Sequence, residues 1–250
     1  MPRLNNINME IKKLPRGSFG YSAVRMQDLG ACEYTLVTIV QDASTSVTHF
    51  KTEMEACLAE IVKACITSPR ADNLLIRYMQ FGTQVEEIHG FKLLQNCQSH
   101  DYRDSIRING CTALFDATLN AVQATTDYTG TLLKNNLTVN SIIFIITDGQ
   151  DNTSQNDADA VKKALNNVYQ KEALEALTTI LIGVGMENDP AIATDLKDFK
   201  DRAGLTEFVE LKEANADTLA RLVEFVALSI SSQSMALGNG TGSQSIQLTF

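Results

Sequence analysis

The chain has 250 residues, of which 44% are hydrophobic, so it can bury the core of one α/β domain, and disorder throughout is excluded. Its formal net charge is −9 and its pI is close to 4.9, and it has no dense Lys/Arg cluster, so nucleic acid is not an expected partner. An acidic protein of this kind raises the local concentration of cations.

The cysteines and the apolar segments bear on the compartment. The cysteine count is odd and no close pair such as CxxC occurs, so free thiols are favoured over a disulfide or zinc framework: Cys32, Cys57, Cys65, Cys97 and Cys111. Free thiols favour a reducing compartment. Residues 1–20 contain no apolar signal-peptide segment, and the longest apolar stretch, 142–146, is too short to cross a bilayer. We therefore expect a cytoplasmic protein without a membrane partner.

The first half of the chain alternates strand and helix patterns. Residues 1–32 are mixed in character and predict an extended leader that could add one strand. A β-branched run at 34–40 predicts a strand, followed by a polar loop at 41–48. The next apolar residues have the spacing of one helix face, and Pro69 ends that helix: Phe50, Met54, Cys57, Leu58, Ile61, Val62 and Cys65.

A pair of strands and a buried strand follow. Residues 73–81 and 84–88 predict two strands, and the tight turn Gly82-Thr83 between them makes the pair antiparallel. Residues 89–111 predict a long irregular connection. A second helix is marked by Leu114, Thr118, Ala121, Val122 and Thr125. The run 139–147 is the most apolar strand and is expected at the centre of the sheet.

The second half repeats the alternation. Strands are predicted at 178–184 and 207–211, and helices at 157–177, 192–203 and 216–230. Together these patterns predict a Rossmann-like, doubly wound, mostly parallel sheet with one short antiparallel edge strand and helices on both faces. The expected organisation is a leader at 1–32, one domain at 33–230 and a flexible, uncharged tail at 231–250. The tail's last residues, 246–250, alternate apolar and polar, so we expect them to dock as a strand in a homo-oligomer or complex, with a disordered end as the alternative.

Oxygen-bearing side chains cluster in three of the predicted loops. In open parallel sheets, ligands bind outside the carboxyl ends of the strands. Two predicted strands end in acidic loops, and a third polar loop precedes the second helix, so the three loops can converge. They supply Asp42, Ser44, Ser46, Thr112 and Asp148. Such a set of oxygen donors suits hard cations such as Mg²⁺ and Mn²⁺.

These residues carry a family resemblance. Asp42-x-Ser44-x-Ser46 after an apolar strand, then Gly110-Cys111-Thr112, then Thr147-Asp148-Gly149 resemble the metal-ion-dependent adhesion site of von Willebrand factor A domains, in order and in strand context over roughly residues 33–230. The resemblance implies that Ser44, Ser46 and Thr112 touch the metal and that Asp42 and Asp148 act mainly through water. Thr45 and Val47 depart from the usual Gly and Met of the family. Neither departure removes a ligand, but Thr45 puts the backbone conformation of the loop in question.

The resemblance also implies a function. An Asp or Glu of a partner protein completes the shell around Mg²⁺, or around Mn²⁺ or Ca²⁺, and no bond is broken. Intracellular bacterial relatives often work beside AAA+ ATPases or in stress and defence systems, so such a component is the expected partner. Two alternatives remain open. The site could support metal-assisted phosphohydrolase activity, although the loops show no Asp-x-Asp pair, Walker glycines or Lys. The metal could also serve only to stiffen the loops.

Several residues near the site have simpler interpretations beside the functional ones. Asp42, Ser44, Ser46 and Thr112 could cap helices, and Asp148-Gly149 could be an ordinary turn. Asp116, Asp151 and Asn152 are either residues that orient the ligands or solvated loop residues. Gly183-Val184-Gly185 is expected to be a turn rather than a dinucleotide site, and Cys111 has no placed His partner. The three histidines are expected at the surface: His49, His89 and His100.

Overall fold

The computed structural model describes residues 9–14, 20–169, 177–213 and 215–238. Within these ranges, eight strands form one sheet: β1 (Met9–Lys13), β2 (Gly20–Val24), β3 (Glu33–Asp42), β4 (Leu74–Phe81), β5 (Val85–Leu93), β6 (Thr138–Thr147), β7 (Leu177–Val184) and β8 (Glu207–Leu211). The described α-helices are α1 (Lys51–Ile66), α2 (Leu114–Lys134), α3 (Ala158–Tyr169), α4 (Pro190–Ala203) and α5 (Ala216–Gly238). None of these helices is both long enough and apolar enough to cross a membrane.

The order of the strands confirms the predicted fold class. The sheet runs β1-β2-β5-β4-β3-β6-β7-β8. The strands from β4 through β3, β6 and β7 to β8 pair in parallel, and β5 pairs antiparallel with β4. Since β3 and β6 lie side by side while the chain continues from them in opposite directions, a crevice forms at their carboxyl ends. This is the edge at which the acidic loops meet.

Two layers of helices cover the sheet. One face packs against α1 and α5, and its buried residues include the predicted apolar stripe of α1 except Phe50, which is partly buried. The other face packs against α2, α3 and α4. The strand β6 is central and buried along nearly its whole length, as its composition predicts. At about 25 cal/mol per Å² of apolar surface removed from water, these two layers supply the dominant favourable term in folding.

An amino-terminal hairpin extends the sheet beyond β5, so β5 is not an edge strand. The strands β1 and β2 form an antiparallel pair, and β2 meets β5 in parallel at Ala23 and Phe91. The approach is close at Gly90, where a Cβ atom would lie 1.9 Å from the carbonyl oxygen of Ser22. Glu87 fixes the contact by accepting hydrogen bonds of 2.9 Å and 2.7 Å from the backbone N–H and hydroxyl of Ser22. The leader therefore contributes two strands where the sequence suggested one.

Two further elements differ from their predicted bounds. The strand β5 continues to Leu93, so part of the predicted irregular connection is regular, and His89 is fully buried instead of lying at the surface. Its ring nitrogens contact the hydroxyl of Tyr102 and the carbonyl oxygen of Gly90, both at 2.9 Å. The helix α5 continues to Gly238, eight residues past the predicted end. Residues 170–176 of the predicted third helix and residues 239–250 of the predicted tail lie outside the described part of the chain.

Candidate metal centre

Asp42 is the buried base of the site. It is the last residue of β3, is 0% exposed, and lies beside Thr147 at the end of β6. One carboxylate oxygen accepts a 2.7 Å hydrogen bond from the backbone N–H of Ser44, and the other accepts a 2.6 Å bond from the hydroxyl of Thr147. These two bonds lock the first turn of the loop after β3. The sequence motif contains Thr147, but sequence reasoning gave it no role.

Two serine hydroxyls and the second carboxylate form a continuous line of oxygens above Asp42. The hydroxyl oxygens of Ser44 and Ser46 are 3.0 Å apart, and the Ser46 hydroxyl donates a 2.8 Å hydrogen bond to Asp148. Ser44 is buried, whereas Ser46 is exposed and Asp148 is half-buried. The line therefore runs from the base of the crevice to its mouth.

Thr112 comes to the same place from the third loop. It is buried two residues before α2, and its hydroxyl lies 4.0 Å from the point where a Cβ atom on Gly149 would stand. Its backbone is clamped to the loop after β6: the Thr112 N–H donates to the side-chain oxygen of Asn152 at 2.8 Å, and the Asn152 N–H donates to the Thr112 carbonyl at 3.0 Å. All five predicted residues thus lie at one edge of the sheet, and Asn152 positions one of them.

Asp151 and Asp116 hold the loop after β6 against α2 rather than touching the five side chains. Asp151 accepts a 3.0 Å hydrogen bond from the backbone N–H of Phe115, and Asp116 accepts bonds of 2.9 Å and 3.0 Å from the N–H groups of Gln155 and Asn156. Carboxylates bonded to backbone N–H groups in this way stabilise a loop conformation. Asp116 is buried and Asp151 is partly buried, so neither is a freely solvated loop residue.

The two departures from the family pattern fit the loop. Thr45 does not have a positive φ, so the absence of Gly creates no left-handed strain. Its N–H and hydroxyl both donate to the carbonyl of Gly110, at 3.0 Å and 3.1 Å. Val47 is buried, 1% exposed, where it contributes to packing. The Thr45 side chain therefore adds a hydrogen bond that joins the first and third loops.

Burial raises the pKa values of the two carboxyl groups. Desolvation raises the pKa of Asp42 from 3.8 to about 6, against the lowering effect of the bonds from Thr147 and Ser44. The negative charge of Asp148 raises it further. Desolvation also raises the pKa of Asp148 itself. A bound cation would favour the charged form of both carboxyl groups and so lower their pKa values.

The donor set fits a small hard cation. Two ligands at right angles around an octahedral Mg²⁺, with metal–oxygen distances of about 2.1 Å, lie about 3.0 Å apart. The 3.0 Å and 2.8 Å separations in the line of oxygens are close to that value. The described residues contain no cluster of three or more His, Cys, Asp or Glu side chains that could hold a metal, so a cation here would depend on hydroxyl oxygens beside only two carboxylates.

Other candidate groups near the site have ordinary explanations. Gly183-Val184-Gly185 ends β7 in a turn, and Gly185 adopts a left-handed φ of 74°. Cys111 is exposed, and its N–H donates to the hydroxyl of Thr83 at 3.0 Å. All five cysteines are free; Cys57, Cys65 and Cys97 are buried, and Cys32 and Cys111 are exposed. His49 and His100 are exposed, as predicted.

Comparison with known proteins finds similarity in structure alone. No sequence-family profile matches the chain, and neither does any curated protein sequence. A D319A mutant of the PilB minor pilin from Streptococcus sanguinis superposes with a TM-score of 0.59 at 13% identity, over 86% of this chain and 65% of the pilin. The pilus adhesin SpaC from Lactobacillus rhamnosus GG, in an open conformation, gives 0.56 at 9% identity, over 90% of this chain and 34% of the adhesin.

A third similar structure is that of proximal thread matrix protein 1 from the mussel byssus. It superposes with a TM-score of 0.54 at 19% identity, over 81% of this chain and 47% of the mussel protein. The same protein has also been solved with a zinc-occupied MIDAS motif, and that structure gives a TM-score of 0.51. The chain thus spans about half the length of the mussel protein and about two thirds of the pilin. The sheet order, the helix layers and these superpositions define a von Willebrand factor A-like α/β fold.

Proposed function

We propose that the chain is a metal-dependent protein-binding module. Asp42, Ser44, Ser46, Thr112 and Asp148 would hold one divalent cation, Mg²⁺ or alternatively Mn²⁺ or Ca²⁺. The observation that carries the proposal is the line of oxygens from Ser44 through Ser46 to Asp148, spaced at 3.0 Å and 2.8 Å above a fully buried carboxylate. When bound, the cation supplies an electrophilic centre that attracts an anionic donor.

The residues around the proposed metal determine the charge and the accessibility of the centre. Asp42 is held by Ser44 and Thr147, so it fixes the loops and supplies charge from the base of the crevice. Asp148 and the exposed Ser46 lie at the mouth, where an outside ligand would arrive. The two carboxylates only balance the charge of a divalent cation, and the three hydroxyls add no charge. The cation would therefore still attract a further anionic donor. A carboxylate from an Asp or Glu of a partner is the hard anionic donor that proteins offer.

The partner's identity follows only from the resemblance. A component of an intracellular multiprotein system, such as an AAA+ ATPase, is the partner that the resemblance suggests, with a cytoplasmic location. Phosphohydrolase activity is the competing function. It requires a base or nucleophile of matched pKa beside the metal, whereas Asp42 is buried beneath the loop and Asp148 is bonded to Ser46.

Calorimetry with Mg²⁺ tests the proposal directly. Wild-type protein should bind about one Mg²⁺ with a Kd in the micromolar to millimolar range, and Asp42→Ala should abolish binding. Asp72→Ala is the matched control, because Asp72 is exposed and precedes β4 at the opposite edge of the sheet. Unchanged Mg²⁺ binding by Asp42→Ala would refute the site. Mg²⁺-dependent hydrolysis of p-nitrophenyl phosphate that Asp42→Ala removes would favour the phosphohydrolase.

A further inference from the structure

A cavity opens beside the candidate metal centre. It has a volume of about 520 Å³, and Ser46 and Asp148 line it together with residues from the loops after β7 and β8. Val184 and Met186, which also line it, are buried, and the partly buried Phe50 and Ile192 add apolar surface. The volume lies within the range of about 300–1,000 Å³ typical of ligand pockets. A partner whose carboxylate reached the centre would cover this cavity.

The lining of the cavity is acidic. Glu187, Asp189 and Glu213 contribute carboxylates, and the lining residues include no Lys or Arg. Among the described residues, none of these three carboxylates has an ion pair with a cationic side chain. Asp189 caps α4 by accepting a 3.0 Å hydrogen bond from the N–H of Ala191. Glu187 and Glu213 are exposed, and the carboxylate of Glu213 accepts a hydrogen bond from the side-chain amide of Asn215, which also lines the cavity.

The two loops that carry these charges are joined to each other. The backbone N–H of Glu187 donates a 3.0 Å hydrogen bond to the carbonyl of Lys212, next to Glu213. The turn after β7 is shaped by Gly185, whose φ of 74° favours glycine. The backbone bond links the two glutamate-bearing loops, and both glutamates line the cavity.

We propose that this cavity binds a basic side chain, preferably Arg, of the same partner segment whose carboxylate meets the metal; the inference rests on the proposed function. Charge complementarity identifies the occupant. An Arg side chain buries its aliphatic stem on apolar surface, stacks on an aromatic ring such as Phe50, and pairs with carboxylates through a planar fork. A volume of 520 Å³ corresponds to a sphere about 10 Å across, which an extended chain spans in about three residues. The partner motif is therefore an acidic residue with Arg within three positions.

Fluorescent peptides test this motif. Each short Gly/Ser peptide carries one Glu and one Arg. Across the set, the Arg occupies in turn each of the three positions before the Glu and each of the three positions after it. Matched peptides replace either the Arg or the Glu by Gln. Fluorescence polarisation is measured with millimolar Mg²⁺ and with EDTA. The protein variants are Glu187→Gln/Glu213→Gln and a control of equal charge change, Glu210→Gln/Glu224→Gln, whose residues are exposed and do not line the cavity.

The expected result is a preference for Arg at one or two positions. At the best position, replacing Arg by Gln should weaken binding by about twofold to fivefold, as expected for partly solvated ion pairs. The Glu187/Glu213 variant should lose this preference and keep the Mg²⁺-dependent binding of Glu, and the control should behave as wild type. No Arg preference, or a preference that survives in the Glu187/Glu213 variant, overturns the inference alone. Binding that ignores both EDTA and the Glu→Gln change, or no binding of any peptide, overturns the proposed function with it.

Discussion

Replacing Asp42 by Asn should stabilise the metal-free protein while abolishing its response to Mg²⁺. Asn has nearly the same shape and can satisfy both native contacts of Asp42. Its oxygen can accept from the N–H of Ser44, and its amide group can donate to Thr147. The Thr147 hydroxyl is free to turn to its second acceptor, the carbonyl of Gly149 at 2.9 Å. The substitution therefore removes a buried charge and keeps a hydrogen-bond partner for both polar atoms of the side chain.

The magnitude follows from the pKa of Asp42, which burial raises from 3.8 to about 6. Because the folded state binds this proton more tightly than the unfolded state, the contribution of Asp42 to stability is highest below pH 3.8. It declines as the pH rises to about 6 and stays low above that value. At about 1.36 kcal/mol per pH unit, the difference amounts to about 3 kcal/mol at neutral pH, which we take as an upper bound.

Thermal unfolding of metal-free wild type and Asp42→Asn across pH 4 to 8 measures this effect. At pH 7.5 the variant should be more stable by about 1–3 kcal/mol, at about 2–4 °C in Tm per kcal/mol. The difference should shrink towards zero near pH 4, where wild-type Asp42 is protonated as well. Mg²⁺ should raise the Tm of wild type and of the Asp72→Asn control but not that of Asp42→Asn. A variant less stable than wild type at pH 7.5, or one still stabilised by Mg²⁺, would refute the reasoning.

Three further predictions address separate parts of the molecule. Thr112→Ala should weaken Mg²⁺-dependent binding of a Glu-containing peptide even where calorimetry still detects Mg²⁺, and equal affinities for wild type and variant would count against a metal bridge. Asn152→Ala removes the 2.8 Å bond to the Thr112 N–H and should weaken Mg²⁺ binding by about 10-fold, as losses around metal ligands commonly do, whereas exposed Gln150→Ala should not. Gly90→Ala places a Cβ atom 1.9 Å from the Ser22 carbonyl oxygen and should lower the free energy of unfolding, measured by urea denaturation, by about 2 kcal/mol or more. The control is Gly130→Ala, which lies in open space on α2 and should not lose stability.

The sequence predicted the parallel sheet and its helices because their burial follows regular periods. The apolar residues of α1 recur with the helical period of 3.6 and form one buried face. The strand β6 contains an apolar run and is buried on both faces. The convergence of the site loops was predictable for a related reason, since residues after neighbouring parallel strands share an edge. The register places Asp42 directly beyond the pair Gln41–Ile146, and hence beside Thr147.

The amino-terminal hairpin was not predictable from such periods. The strand β1 has a mixed burial pattern, and Ile11 is 71% exposed, so no apolar face marks it as part of the sheet. What holds the hairpin is tertiary: Tyr21 packs edge-on against Phe91 and Tyr128, and its hydroxyl donates to Asp127 at 2.7 Å. A local pattern carries no information about partners that lie about 70 and 106 residues further along the chain.

The carboxyl-terminal end of α5 was missed because most of its buried residues are polar. The run Ser231-Ser232-Gln233-Ser234 looks like a tail by composition, yet Gln233 and Ser234 are buried. The side-chain amide of Gln233 donates a 3.1 Å hydrogen bond to the hydroxyl of Thr178. The backbone carbonyl of Gln233 accepts a 3.1 Å hydrogen bond from the side chain of Asn140. Hydrophobic periodicity cannot detect a helix that packs through hydrogen bonds. The same limitation hid His89, which is buried because Tyr102 and the Gly90 carbonyl satisfy its ring.

The topology explains why the site and the acidic cavity lie next to each other. The chain leaves β3 towards β4 and leaves β6 towards β7, so the loops after β3 and β6 part at the crevice and expose Ser46 and Asp148. Continuing in the same direction, the loops after β7 and β8 form the next positions along that edge, and these carry Glu187 and Glu213. A partner segment lying along the sheet edge would therefore meet the candidate metal centre first and the acidic lining second. That order favours ligands in which an acidic and a basic side chain are close together, and it disfavours purely acidic segments, which the protein's net charge of −9 would also repel.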